Sequence, residues 1–289
     1  MTVIPIPYRQ QFEAHEVSLT ALGVGTALAV AIRNRLGFVS IEMIGALILY
    51  ISIIWVSSGR MDLLSQRVRL FSSFVFVLWF YCAIARITPA LGTALRDRSL
   101  LAIDQGLFGK TPAIFCERVA APWLTDFLSL CYLTYHLYLA MAVLHALQNF
   151  NAATWRLSVY LFTGFAVGFA GYLLVPAVGP ASAYPNLFVA PLPEGILGRL
   201  IGALVAKGSS GYDVFPSLHI LITCILLDHD WRHVRRRFWV MIGPSFGLVT
   251  STIYLRYHYG IDLIAGFVVF LALRQTFLKA GAKEIGWRR

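Results

Sequence analysis

The sequence predicts an all-α fold, a multi-spanning membrane bundle of about eight transmembrane helices, and three observations carry that prediction. Hydrophobic residues make up 58% of the 289 positions and charged residues only 13%, against roughly 25% charged in a soluble domain. The apolar residues gather into runs near the ~20 residues that cross a bilayer. Short basic stretches separate the runs. Lys and Arg number 24 against 14 Asp and Glu, a formal charge of +10. In a soluble protein that excess raises the question of nucleic acid; distributed between spans, it reads as topology. A soluble domain and a nucleic-acid partner are therefore both set aside.

Taken in order, the first run is about Val17–Ile32. The residues before it, Met1 to Glu16, carry prolines, a glutamine pair and two glutamates, unlike a cleaved signal peptide, so this span is expected to stay in the protein. Phe38–Val56 and Leu70–Thr88 follow, around a turn holding Arg60, Arg67 and Arg69. A long loop, Arg86–Pro122, leads to Trp123–Leu147 and Leu157–Val178. A second loop, Val178–Asp213, is rich in Gly and Pro and too long for a mere connection. Val214–Trp231, Phe238–Leu255 and Tyr259–Phe277 complete the set. The first and sixth runs are short, which predicts little tilt, an interfacial course or partial re-entry.

Cytoplasmic flanks are enriched in Lys and Arg. His229 to Arg237 holds Arg232, Arg235, Arg236 and Arg237, and the tail holds Arg274, Lys279, Lys283, Arg288 and Arg289. Both are read as cytoplasmic. Eight spans then put the N-terminus and the Arg60–Arg69 turn inside and both long loops outside. Arg33 and Arg35, with the cations of Arg86–Pro122, fall on the far side against the rule.

Two constellations carry ionisable groups beside apolar runs, where they are costly unless used. In Tyr212-Asp213-Val214-Phe215-Pro216-Ser217-Leu218-His219, Pro216 suits a first helical turn. That puts Ser217 and His219 at a helix N-terminus, where free N–H groups favour an anion. In Arg256-Tyr257-His258-Tyr259-Gly260-Ile261-Asp262, His258 and Asp262 are four apart and predicted to share a helix face. The carboxylate then takes one imidazole nitrogen and leaves the other nucleophilic. A span, the basic turn and a returning span bring both histidines to one membrane face. One imidazole attacking phosphorus while the other protonates the leaving oxygen is phosphoryl-transfer chemistry, and it requires no metal. Alternatively, each histidine only hydrogen-bonds a neighbouring helix. The four cysteines, Cys82, Cys116, Cys131 and Cys224, have neither metal-ligand nor redox spacing.

Phe215-Pro-Ser-Leu-His219 and Ser251-x6-His258-x3-Asp262 resemble the second and third signature motifs of the type 2 phosphatidic acid phosphatase superfamily. Leu218 in place of Gly, and the His-Tyr-x-x-Asp run into Leu263-Ile-Ala-Gly266, look more like the branch of inositol phosphorylceramide synthases and their bacterial relatives. Gly171-Tyr-Leu-Leu-Val-Pro176 with Gly179-Pro180, the Asp104 to Pro112 segment and the Tyr132/Tyr135 helix are similar to that branch as well. The resemblance covers about Leu100 to Phe277 and implies a six-helix catalytic core. It divides the chain into N-terminal membrane helices, 1–88, and a catalytic membrane domain, 89–289.

It also implies catalytic roles for His258 as nucleophile, Asp262 as its orienting partner and His219 as general acid. The candidate substrate-binding set is Ser217, Pro216, Arg256, Lys207, Asp213, Tyr132, Tyr135 and Gly179. Two departures bear on phosphate recognition. The Lys-x6-Arg-Pro motif is missing, and Thr252 stands where an Arg is expected six residues before the nucleophile. Arg256 is the preferred replacement by charge, ahead of Lys207, Arg199, Lys110 and Arg118.

Packing is the reading for His136 and His145, and also for Gly164-x3-Gly168 and Gly243-x3-Gly247. Asp126 is read as a cap or a head-group ligand. The expectation is a lipid phosphotransferase or phosphatase with its catalytic face non-cytoplasmic, taking a lipid substrate and an alcohol or polyol acceptor or water. It needs no cofactor or metal. The alternatives are a non-catalytic lipid binder or transporter on the same scaffold and a structural partner in a complex.

Overall fold

The computed structural model describes residues 12–34, 36–60 and 62–286, with side chains at all of these but 34 and 278–286. Residues 1–11, Arg35, the side chains of Lys279 and Lys283, and Arg288 and Arg289 lie outside the described residues. So do the parts of the N-terminus and tail readings that rest on them. Twelve α-helices and no strand occur among the described residues. They are α1 (Ala14–Asn34), α2 (Phe38–Ser58), α3 (Leu63–Leu91), α4 (Asp97–Phe108), α5 (Pro112–Cys116), α6 (Pro122–Gln148), α7 (Ala152–Leu174), α8 (Pro180–Ala183), α9 (Ile196–Gly208), α10 (Leu218–His233), α11 (Arg235–Tyr254) and α12 (Gly260–Gly286).

Each predicted span coincides with a helix, and six of these, α1, α2, α3, α6, α7 and α12, are long and apolar enough to cross a membrane. The protein is thus a multi-span membrane helix bundle. The two that fall short have physical reasons. α11 opens on Arg235, Arg236 and Arg237. α10 has 16 residues, about 24 Å at ~1.5 Å per residue, less than the ~30 Å hydrocarbon core. It is encased by α6, α7, α11 and α12, so Leu221, Ile222, Ile225 and Leu226 are each 0% exposed.

The two long segments read as loops, Arg86–Pro122 and Val178–Asp213, prove to be largely helical. In α4, Asp97, Leu100 and Asp104 form one buried stripe while Ile103 and Leu107 stay exposed. α9 likewise turns Gly198 and Ile201 inward and leaves Ile196, Leu200 and Leu204 outside. Such helices carry too few apolar residues to register as spans, yet they roof one end of the bundle.

That end also holds the N-termini of α10 and α12. The opposite end gathers Arg60, Arg67, Arg69 and the turn Arg232 to Arg237. The misplaced cations are partly accounted for by pairing. Arg86 makes a short salt bridge to Glu42, and the Arg33 guanidinium lies against Gly92, which ends α3 with a left-handed φ of 60°.

Close packing fixes α7 against the chain leading into α10. A Cβ added at Gly164, Gly168 or Gly171 would meet Ile225 at 2.8 Å, Leu218 at 2.3 Å or Pro216 at 2.2 Å respectively. Gly247 abuts Cys131 of α6, but Gly243 has nothing within 4 Å, so only half of that second glycine pair serves packing. On the other flank, Arg69 of α3 donates to both oxygens of Glu16 on α1 at 2.8 and 2.6 Å, with Glu16 wholly buried.

Candidate active site

α10 begins at Leu218 with Ser217 as its N-cap residue. Pro216 therefore precedes the cap, after a cis peptide bond, rather than sitting in the first turn as the sequence suggested. The first-turn N–H groups have no acceptor within the helix. The Ser217 hydroxyl beside them is buried with no hydrogen-bond partner. Leu218, the departure from the family's glycine, is accommodated by Gly168, against which its side chain packs.

The C-terminus of α11 is closed by the Thr252 carbonyl, which accepts from Tyr257 and His258 N–H groups at 3.1 Å each. This turn puts Arg256 at φ 63°, where glycine is usual and an L side chain costs about 1–2 kcal/mol. The carbonyl of Arg256 also accepts from Ala181 N at 3.1 Å. His258 thus lies ahead of α12, not on it, so it shares no helix face with Asp262. Asp262 instead folds back: its Oδ2 accepts from Tyr259 N at 2.8 Å and stands 3.5 Å from His258 Nδ1. That is an ion-pair separation rather than a formed hydrogen bond, and His258 Nδ1 has no other partner.

The other nitrogen, His258 Nε2, lies 3.3 Å from His219 Nδ1. The two motifs are also stitched by backbone: Ser217 N donates to the Asp262 carbonyl at 3.0 Å, and a Cβ at Gly266 would come within 2.5 Å of the Ser217 carbonyl oxygen. His219, His258 and Asp262 are 9%, 2% and 0% exposed. In such surroundings charge development at the pair is felt more strongly than in water.

Two carboxylates that sequence reading did not place in the site hold it from behind. Asp104, wholly buried, accepts from the N–H groups of Gly260 and Ile261 at 2.9 Å each and from the Thr111 hydroxyl at 2.7 Å. It caps α12 and occupies that helix's positive end. Asp97 accepts from Val178 N and Gly179 N at 3.1 and 3.0 Å and from the Tyr259 hydroxyl at 2.9 Å. Gly179, with φ 84°, abuts the Tyr257 carbonyl so closely that a Cβ would lie 2.4 Å from it. The available signal was the seven-residue spacing of Asp97 and Asp104, in phase with Leu100 on one helical stripe.

A cavity of about 760 Å³ opens beside the histidine pair. Tyr132 and Tyr135 line it, each with its ring centroid 4.7 Å from that of His219. Asp213 lines it too, accepting a short hydrogen bond from Tyr81 and one of 2.8 Å from Ser209. Tyr81 and Tyr257, which sequence reading did not single out, also line it. Leu78 of α3, His136 of α6 and Leu204 of α9 also line it, and all three are exposed.

The cations offered as phosphate clamps fare differently. Arg256 lines the cavity, but its guanidinium donates to the Ala190 carbonyl at 2.9 Å and to Glu117 at 3.2 Å and stacks 4.0 Å over Phe188. Burial draws its pKa below the ordinary value, against the opposing pull of Glu117. Lys207, Lys110, Arg118 and Arg199 are exposed and outside the cavity lining. Thr252 is buried and hydrogen-bonded to Val249. Asp126 accepts from Gly198 N at 2.7 Å, so it caps α9 rather than its own helix. His145, His229 and His233 lie at the opposite end.

No curated protein and no solved structure matches the chain. A family model described as the PAP2 superfamily matches residues 98–274, a stretch from the α4 buttress through the cavity walls to most of α12. With more than half of its length matched and both signature histidines inside the match, the chain belongs to the PAP2 superfamily and is a membrane protein of the phosphatase type.

Proposed function

We propose that the protein is an integral membrane lipid phosphotransferase or phosphatase that works through a phosphohistidine on His258, on the membrane face opposite the Arg232–Arg237 turn. The observation that carries this reading is the 3.3 Å approach of His258 Nε2 to His219 Nδ1 at the edge of the cavity. The Nε2 lone pair of neutral His258 forms a bond to phosphorus as the P–O bond to the leaving alcohol breaks, and the proton on His219 passes to the departing oxygen. In the second half an alcohol or water returns its proton to His219 while its oxygen displaces His258. Asp262, 3.5 Å from Nδ1, holds the imidazole orientation and balances the positive charge that develops on it. The N–H groups of His219 and Ile220 in the first turn of α10, with the unpartnered Ser217 hydroxyl, are the candidate donors to the phosphoryl oxygens. Substrate reaches them from the bilayer flank past Leu78 and Leu204.

The test is lipid mass spectrometry after incubating purified protein, in EDTA, with mixed phospholipids, polyisoprenyl phosphates and alcohol acceptors, wild type beside His258→Ala. Head-group-exchanged or dephosphorylated lipid made only by the wild type is the expected result. Identical lipid profiles from the two proteins would refute it and leave a lipid binder.

A further inference from the structure

Building on that reading, we infer that the transferred phosphate carries a cationic ammonium head group, and that Asp213 with the surrounding aromatic rings receives it. Besides the histidines, two charged side chains line the cavity among the described residues, Asp213 and Arg256. Arg256 is matched by Glu117 at 3.2 Å. Asp213 has no ion-pair partner among the described residues. Its two donors, the Tyr81 and Ser209 hydroxyls, are neutral and leave lone pairs on both carboxylate oxygens. Away from the histidine pair, the cavity therefore presents one negative charge that no ion pair compensates.

The walls around that charge are aromatic. Tyr81, Tyr132, Tyr135, Phe169, Tyr172 and Tyr257 all line the cavity. Tyr132 meets Tyr257 edge to face at 5.2 Å, and Phe169 joins Tyr81 to Tyr172, with ring centroids 6.3 and 6.1 Å apart. Ring faces beside a carboxylate are the chemistry that recognises an alkylammonium, since the negative quadrupole adds to the formal charge while the rings bury the methyl or methylene groups.

The other pole is set by the start of α10, where N–H groups and the histidine pair favour an anion. A zwitterion of phosphate and ammonium matches both poles. A lipid phosphate monoester, with up to two negative charges and no cation, faces Asp213 as a like charge. A polyol head group finds hydroxyls on Tyr132, Tyr135 and Tyr257, but it brings no charge to offset Asp213.

The experiment uses full-length protein in a phosphorus-free detergent, with phosphatidylcholine, phosphatidylethanolamine, phosphatidylinositol, phosphatidylglycerol or phosphatidate each as sole phospholipid and head-group loss as the readout. The choline and ethanolamine lipids should turn over at least about ten-fold faster than the others, the scale of one or two cation–π contacts and a desolvated charge. Asp213→Asn should narrow that ratio. Tyr132→Phe, which keeps the ring face, should preserve it, and Tyr132→Leu should not. Preference for the inositol, glycerol or phosphatidate lipid, with turnover abolished in His258→Ala, would overturn the ammonium inference while sparing the phosphohistidine reading.

Binding separates the two even without turnover. Tetramethylammonium should raise the protein's thermal midpoint, and the uncharged analogue neopentyl alcohol should not. That difference should vanish in Tyr132→Leu and persist in Tyr132→Phe. Equal effects of the ion and the alcohol, or none from either, would also overturn the inference.

Discussion

Asp104 offers the sharpest test of how the site is held. Its carboxylate is the shared acceptor for Gly260 N, Ile261 N and the Thr111 hydroxyl, and it has no exposed surface. In Asp104→Asn one oxygen remains for Gly260 and Thr111, while the new amide N–H group points at the Ile261 N–H. One charge-assisted hydrogen bond is lost, about 1.5–3 kcal/mol, and the charge–dipole attraction at the start of α12 goes with it, about 0.3–1 kcal/mol. The expected destabilisation is about 2–4 kcal/mol. At about 2–4 °C per kcal/mol, the scale for chains of 150–250 residues, the midpoint should fall by about 4–16 °C.

A thiol-reactive fluorophore reads this once the more accessible Cys82, Cys116 and Cys224 are replaced by Ser, because Cys131 is free and 7% exposed and reacts when the bundle opens. Turnover should fall about ten-fold with KM little changed, since Gly260 follows His258 by two residues and the displaced helix carries Asp262. A midpoint within about 1 °C of wild type, the resolution of such a scan rather than the loss expected for a buried charge-assisted bond, would refute the capping argument.

Gly266→Ala should separate α12 from α10, because its Cβ would lie 2.5 Å from a backbone oxygen that cannot rotate away. A cost of about 1–3 kcal/mol and a rate loss of up to about 100-fold from a displacement near 1 Å are expected, measured by thermal scan and lipid turnover. Glu16→Gln removes the carboxylate that takes two Arg69 donors at 2.8 and 2.6 Å, while Glu13 remains as a second negative charge, and should cost about 1.5–3 kcal/mol. It should lower the thermal midpoint without changing the substrate ranking. The paired roles of the histidines predict a bell-shaped dependence of kcat/KM on pH, since the nucleophile must be neutral and the proton donor charged. A rate flat from acid to alkaline pH would remove one of the two roles.

The spans were legible because membrane helices are written in runs of apolar residues, and all eight predicted runs fall on helices. The roof was not. α4, α5 and α9 are short or one-sided, so their apolar residues never accumulate into a run, and Gly and Pro around them read as loop. In the site, His219, His258 and Asp262 were found together because their motifs are local in sequence and return to one face through a single helical hairpin. The helix-face argument for His258 and Asp262 missed the turn that intervenes. The Gly260 N–H is taken by Asp104 from a segment more than 150 residues away, and such a tertiary bond starts the helix later than local spacing suggests. Arg256 looked like a clamp by charge, but its partners, Glu117 and Ala190, come from two separate segments that no local pattern connects to it.

The flank between α3 and α6, where these helices touch only marginally and Leu78 and Leu204 border the cavity, bears on how catalysis should be measured. A substrate that arrives sideways through this seam never has to leave the bilayer, so the concentration the enzyme senses is the mole fraction of that lipid in the surface. Diluting the substrate with inert lipid at constant bulk concentration should then slow the reaction, while diluting the vesicles with buffer should not.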